Sequence, residues 1–229
     1  MEKYLVGESL QNLRKLSELL DMPLTFVDLE ATGLVHEKMF AIIEIGAIKI
    51  SKDTIVESSS LVDPEMKIPS LITDITGIDD SMVKGFPKFP YFDKFFQKAS
   101  DDDILCGYNS KSFDATGIKR MGRKYRKEYT FFNQLDFRHI FLKQRNSLTG
   151  VSSRKGSLVE ACNFYNVKMP TTGTAHRAGF DIAITALLAE KIFEHHGLSI
   201  LQSEIESFGN ERAKKRYLDY IHHHEKKVA

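Results

Sequence analysis

Cysteine, proline and net charge are what this 229-residue chain has little of. Its two cysteines, Cys106 and Cys162, lie far apart without metal-ligand spacing. That excludes a disulfide framework and a cysteine-based metal site, and fits reduced residues in a cytoplasmic protein. Six prolines and no internal repeat leave no linker that would divide the chain in two. Lys plus Arg number 32 against 31 for Asp plus Glu, a net charge of +1. Global charge therefore names no partner, and affinity for nucleic acid has to come from local patches. No stretch approaches the roughly 18 apolar residues of a membrane span. The opening Met1-Glu-Lys-Tyr-Leu-Val6 lacks the basic region and apolar core of a signal segment, so no membrane contact is expected. What is present is a 42% hydrophobic composition, ample for one large core. The reading is a helical extension over 1–23, a main domain over 24–196, and a C-terminal helix with a polar tail over 197–229.

The stretch Leu24-Thr-Phe-Val-Asp-Leu-Glu-Ala-Thr-Gly-Leu34 carries apolar residues into two carboxylates before breaking at Gly33. Residues i and i+2 of a strand share a face, so Asp28 and Glu30 stand side by side while Val27 and Leu29 face the other way. Neighbouring like charges repel, and burial makes both harder to ionise. A cation between them removes the conflict, and hard oxygen ligands on a strand suit Mg²⁺ or Mn²⁺ better than zinc. The alternative is a strand end with two solvated acids.

Upstream, residues 9–20 place leucines at helical spacing behind Ser9 as cap, predicting a helix that covers the sheet. Downstream, 39–50 and 55–62 read as two further strands in an antiparallel meander. Glu44, the odd acid in the first of them, is read as structural, the alternatives being a pair with a surface base or support of the metal site from behind. Two short helical pieces meet at Gly77, the second capped by Asp79, and a Phe-rich helix follows over 91–98. Asp101-Asp-Asp103 reads as a solvated turn before a strand over 104–106. That strand delivers Gly107-Tyr-Asn-Ser-Lys-Ser-Phe-Asp114, a strand-to-helix junction of the kind where α/β proteins place active sites. Asp114 is there a third carboxylate or, alternatively, a plain helix cap. Six of the nine residues from Lys119 to Lys127 are basic, either a solvated face or contacts to a phosphate backbone. A strand over 134–136, a helix over 137–143, a polar loop over 146–156 and a Ser157-capped helix to 166 come next. After a loop over 169–174, His176 stands near the start of a long helix reaching about 195, with Asp181 on its first turns. Residues 198–221 read as one terminal helix, ended by the polar tail His222-His-His-Glu-Lys-Lys227.

Asp28, Glu30, Asp114 and Asp181, with His176 beside the last, come from an early strand, a junction and a late helix. Four carboxylates can hold two divalent ions roughly 4 Å apart, one activating a water and the other steadying the phosphorus and the leaving 3′ oxygen. A neutral histidine can take the water's proton, because its unperturbed pKa lies close to operating pH. This is equipment for phosphodiester hydrolysis.

Three ordered motifs then resemble those of the DnaQ-like (DEDDh) 3′→5′ exonucleases. That group includes the proofreading epsilon subunit of bacterial replicative DNA polymerase and several RNA-trimming enzymes. Phe26-Val-Asp-Leu-Glu-Ala-Thr-Gly-Leu34 with Ile43-Glu-Ile-Gly46 is similar to the first motif, Gly107 to Asp114 to the second, and His176-Arg-Ala-Gly-Phe-Asp181 to the third. Ile75-Thr-Gly-Ile78 followed by Met82-Val83 resembles the linking segment, and the likeness spans about 24–195. The resemblance implies an α/β, ribonuclease-H-like mixed sheet, a meander plus parallel strands, flanked by helices. It implies a metal-dependent exonuclease releasing nucleoside 5′-monophosphates from single-stranded 3′ ends. Asp28, Glu30 and Asp181 would hold two divalent cations, Mg²⁺ or Mn²⁺, with Asp114 holding one, and His176 would be the general base. Thr32 and Gly33 would lie near the 3′-OH, Leu34 would wedge against the last base, and Asn109 and Phe113 would shape the pocket. Two departures stand out: Tyr108 where many members carry His, and Thr116-Gly117 where relatives often carry apolar residues. DNA is the favoured substrate and RNA the alternative, since no motif reports on the 2′-OH. A non-catalytic nucleic-acid-binding, polymerase-associated subunit is the third reading, against which the full set of acids and the histidine stand. A polymerase or other replication or repair partner would dock on the terminal helices.

Overall fold

Apolar alternation in the first strand sets the layering. In β1 (Leu24–Ala31), Leu24 and Phe26 enter one buried cluster and Val27 and Leu29 another, so both faces of the strand are covered. The computed structural model describes residues 4–5, 7–150, 152–170 and 175–225. With β2 (Ile42–Ile50), β3 (Ile55–Leu61), β4 (Ile104–Gly107) and β5 (Gln134–Asp136) the sheet has the order β3-β2-β1-β4-β5. β1, β2 and β3 pair antiparallel as the expected meander, while β1–β4 and β4–β5 pair parallel. The mixed sheet expected from the sequence is present.

The helices are α1 (Gln11–Leu20), α2 (Ser70–Thr76), α3 (Asp80–Val83), α4 (Asp93–Asp101), α5 (Asp114–Lys124), α6 (Phe137–Thr149), α7 (Leu158–Phe164), α8 (Ala178–His196), α9 (Gln202–Ile205) and α10 (Glu211–Glu225). Residues of α1, α6, α7, α8 and α10 bury against the Phe26 face, and those of α4 and α5 against the Val27 face. Among the described residues, no helix is long and apolar enough to cross a membrane. Because β1 and β4 run parallel, both end at the same edge, which opens the crevice where α/β sheets place ligands.

α8 is the helix that completes this crevice, and two residues of β2 seat it. Gly46 lies opposite Asp28, and a Cβ on it would fall 2.3 Å from the Ala178 carbonyl oxygen. The missing side chain is what lets the first turn of α8 rest on the strand. Buried Glu44 accepts the Ala178 backbone N–H at 2.9 Å and pairs with the Arg177 guanidinium at 2.7 Å. A carboxylate at a helix start answers both an orphan N–H and the helix dipole. Glu44 thus has a structural role, as favoured from the sequence, and pairs with a base, Arg177.

Several expectations need correction. α1 begins at Gln11 behind Leu10, which adopts φ 43° and gives no side-chain cap, so Ser9 is not the cap. The acceptor comes instead from α8: the Glu190 carboxylate takes the N–H groups of Asn12 (2.9 Å) and Leu13 (3.0 Å) and the Asn12 amide (2.9 Å). Asp103 is not solvated but buried at 2% exposure, held by Lys49 Nζ and Thr25 Oγ1, each at 2.6 Å. The second strand starts at Ile42 rather than 39, and α6 runs on to Thr149 into what reads as loop. The expected single terminal helix is broken: a 3₁₀ turn (Leu198–Leu201) and α9 precede α10. Asn210 makes the break, its side-chain oxygen accepting the Ala213 N–H while its own N–H goes to Asn133. His223 and His224 belong to α10 with their Nδ1 atoms on backbone carbonyls four residues back, not to a frayed tail. Part of the expected 169–174 loop, residues 171–174, lies outside the described residues, as do residues 226 and 227.

Glu190→Ala strands the first-turn donors of α1 away from water, which costs about 1–3 kcal/mol. Thermal unfolding should show a Tm lower by roughly 2–4 °C for each kcal/mol lost. An unchanged Tm would mean that α1 is held by its leucines alone.

Candidate active site

Asp28 and Glu30 share one face of β1, as the two-residue period requires, and α8 brings Asp181 to them. One carboxylate oxygen from each of the three lies within 4.8 Å of the others. Asp114 is the first residue of α5 and is only 2% exposed. Its Oδ1 has no hydrogen-bond partner, although it is buried. A buried, unsatisfied carboxylate oxygen calls for a ligand, and among the described residues no side chain supplies a hydrogen bond to it. Asp114 is not a plain helix cap: the capping position belongs to Phe113, whose side chain makes no capping bond.

The charges act on each other. Burial pushes Asp28 well above the ordinary carboxylate range, and the fields of Asp114, Glu30 and Asp181 push it further. Burial and the neighbouring Asp181 and Glu44 carry Glu30 up to about 8, while Arg177 opposes them. That guanidinium is tied to Glu44 and so does not neutralise the site. Burial also raises Asp114, against the backbone N–H groups of Asp114 itself and Leu29, and raises Asp181, against the N–H of His176. Three converging acids and a fourth with one unpartnered oxygen, all oxygen ligands, fit hard divalent cations such as Mg²⁺ or Mn²⁺.

His176 stands exposed just ahead of α8 with φ 61°, and its N–H donates to Asp181 Oδ2 at 3.1 Å. The left-handed backbone, uncommon for a residue with a Cβ, bends the chain so that this N–H reaches the carboxylate. Thr32 is buried: its hydroxyl donates to the Met39 carbonyl (3.0 Å) and accepts the Ala41 N–H (2.9 Å). It closes the base of the 32–41 turn rather than presenting a free hydroxyl. Gly33 lies beneath the Glu37 carboxylate, and Leu34 stands out from the turn at 54% exposure. Phe113 is half-buried and meets Phe40 edge-on, with ring centroids 6.3 Å apart.

Asn109 adopts φ 65°, and its backbone is held by Asp136, a residue that sequence reasoning passed over. The buried Asp136 carboxylate accepts the N–H groups of Asn109 (2.9 Å), Lys111 (3.1 Å) and Arg138 (3.1 Å), joining the second motif's loop to the start of α6. An acid between a buried strand and a helix was the available signal. Tyr108, the departure from His, turns its hydroxyl to the Ser157 carbonyl (2.8 Å). The other departure leaves the helix start in place: Thr116 bonds the Lys111 carbonyl, and Gly117 makes room for Phe40.

These electrostatics have a pH signature. Acids whose folded pKa is raised contribute stability that is full below the unfolded value, 4.5 for Glu30, and is lost as pH rises through the folded value of about 8. Metal-free protein should therefore melt lower at pH 9 than at pH 6. Mg²⁺ or Mn²⁺ should recover the difference, and Glu30→Gln should flatten the pH dependence. A metal-free Tm that climbs with pH over that range would contradict this electrostatic picture.

The sequence profile of the exonuclease family matches residues 25–189. A DNA polymerase III PolC-type protein from Caldanaerobacter subterraneus subsp. tengcongensis is 31% identical over 201 residues, covering 85% of this chain and 13% of that protein. The chain thus spans only a small part of the PolC-type relatives. The DNA polymerase III epsilon subunit from Aquifex aeolicus is 31% identical over 186 residues, covering 80% of this chain and 87% of that one. Among solved structures, exonuclease X in complex with 5′ overhanging duplex DNA superposes with a TM-score of 0.55 at 19% identity, over 85% of this chain and 99% of that one. Exonuclease I from E. coli in complex with a dT13 oligonucleotide gives 0.64 at 14% identity, over 84% and 45%. Those two likenesses establish the ribonuclease-H-like fold. All four carboxylates and His176 fall inside the matched stretch, and the chain belongs to the exonuclease family.

Proposed function

We propose that this chain is a 3′→5′ exonuclease that removes nucleoside 5′-monophosphates from single-stranded DNA ends, using two divalent cations and His176 as general base. The observation that carries the reading is the convergence of Asp28, Glu30 and Asp181 beside the unpartnered Asp114 oxygen. Divalent cations, when bound, supply the charge that acidifies a water and offsets negative charge developing around phosphorus.

The chain's own part is placement. β1 holds Asp28 and Glu30 on backbone paired with Gly46 and Glu44 of β2, which limits their movement apart. The contacts of Glu44 and Gly46 set the position of Asp181. The backbone bond from His176 to Asp181 ties this residue to the acids, and its exposed imidazole is the group that would accept a proton from an attacking water. Leu34, exposed at its turn, presents an apolar side chain for a terminal base. The thymidine oligonucleotide on exonuclease I favours single-stranded DNA. The polymerase III names of the relatives favour a replication partner.

The test follows 5′-labelled single-stranded DNA and RNA of one sequence with Mg²⁺, Mn²⁺ or EDTA. A ladder shortening from the 3′ end is expected, abolished by EDTA and by Asp28→Ala, and faster on DNA. His176→Ala should lower kcat about 10²–10⁴-fold, the range for loss of a general base. A folded wild type that binds the strand yet gives no ladder with either metal would leave a binding subunit.

A further inference from the structure

Arg120 lies within the basic run, yet its guanidinium is turned back into the protein. Nη2 donates to the Lys38 carbonyl at 3.0 Å, Nη1 donates to the Val35 carbonyl, and the group sits 5.3 Å from the centroid of the Phe40 ring. One turn earlier on α5, Gly117 leaves Phe40 room, since a Cβ there would lie 3.0 Å from its Cζ. α5 therefore grips the 33–40 segment at three places, through two carbonyls and a ring. The same segment carries the exposed Leu34, and the same helix begins at Asp114. A planar guanidinium can meet two carbonyls while stacking on a ring, which an ammonium group cannot do.

We propose that Arg120 is a positioning residue for the 3′-terminal nucleotide: it locks the turn bearing Leu34 to the helix bearing Asp114, fixing the apolar wedge relative to the acids. This rests on the exonuclease reading of the site. The basic run is then divided in role, with Arg120 a strut and exposed Arg123 and Arg126 left for solvent or phosphate.

The test compares wild type, Arg120→Met, Arg120→Lys, Leu34→Ala and the Arg120→Met/Leu34→Ala double variant on one single-stranded oligonucleotide. Arg120→Met should raise KM about tenfold with kcat within about twofold, and the double variant should be no worse than Leu34→Ala alone, because coupled residues are not additive. Arg120→Lys should recover only part of the loss. Hydrogen exchange should quicken at 33–40 in Arg120→Met and stay unchanged in β1. Unchanged KM, multiplying effects in the double variant, or faster exchange throughout would each overturn the inference. If wild type shortens no 3′ end, the exonuclease reading fails and takes the inference with it. If wild type is active and Arg120→Met is indifferent, the inference fails alone.

Discussion

Repulsion among four carboxylates gathered at one edge of the sheet is the constraint on which the rest of the structure depends. On top of burial, Asp114, Glu30 and Asp181 raise Asp28, Asp181 and Glu44 raise Glu30, and Arg177, which opposes this at Glu30, is bound to Glu44. A site built this way is unfavourable alone and becomes favourable around divalent charge. The fold must hold the acids together against their own field. It does so by drawing them from elements anchored elsewhere.

Each anchor has a separate physical basis. β1 is an inner strand: its Leu24–Phe26 half pairs with β4 as well as β2, and Asp28 and Glu30 ride on the continuation of that strand, paired with Gly46 and Glu44 of β2. Asp181 depends on α8, which is seated at one end by Glu44 and Gly46 and tied to α1 by Glu190. Asp114 depends on α5, whose entry loop is held by Asp136 and whose middle is bound to the 33–40 segment through Arg120. Buried acids thus serve in two ways. Glu44, Asp136 and Glu190 meet backbone N–H groups and act as fixed connectors, whereas Asp114 keeps an oxygen without a partner.

Much of this was legible wherever one short rule governed the outcome. Strand periodicity put Asp28 and Glu30 on one face, the meander indicated the antiparallel half of the sheet, and turn chemistry placed Gly77 and the Asp79 cap between α2 and α3. What stayed hidden depended on partners distant in sequence. Nothing near Glu190 announces that it caps a helix 177 residues earlier, and Asp103 looks like the exposed acids beside it until Lys49 and Thr25 surround it. The basic run likewise could not reveal that Arg120 faces carbonyls. Nor could the sequence show that the Thr32 hydroxyl is engaged within its own turn.

The most direct measurement is a calorimetric titration of Mn²⁺ into metal-free protein with a nucleoside 5′-monophosphate present, repeated for Asp181→Asn. Saturable binding of about two ions per chain is expected, the number that four carboxylates can hold, with a large loss of affinity in the variant without loss of fold. A folded wild type that takes up no Mn²⁺, or a variant that binds as tightly as wild type, would contradict this.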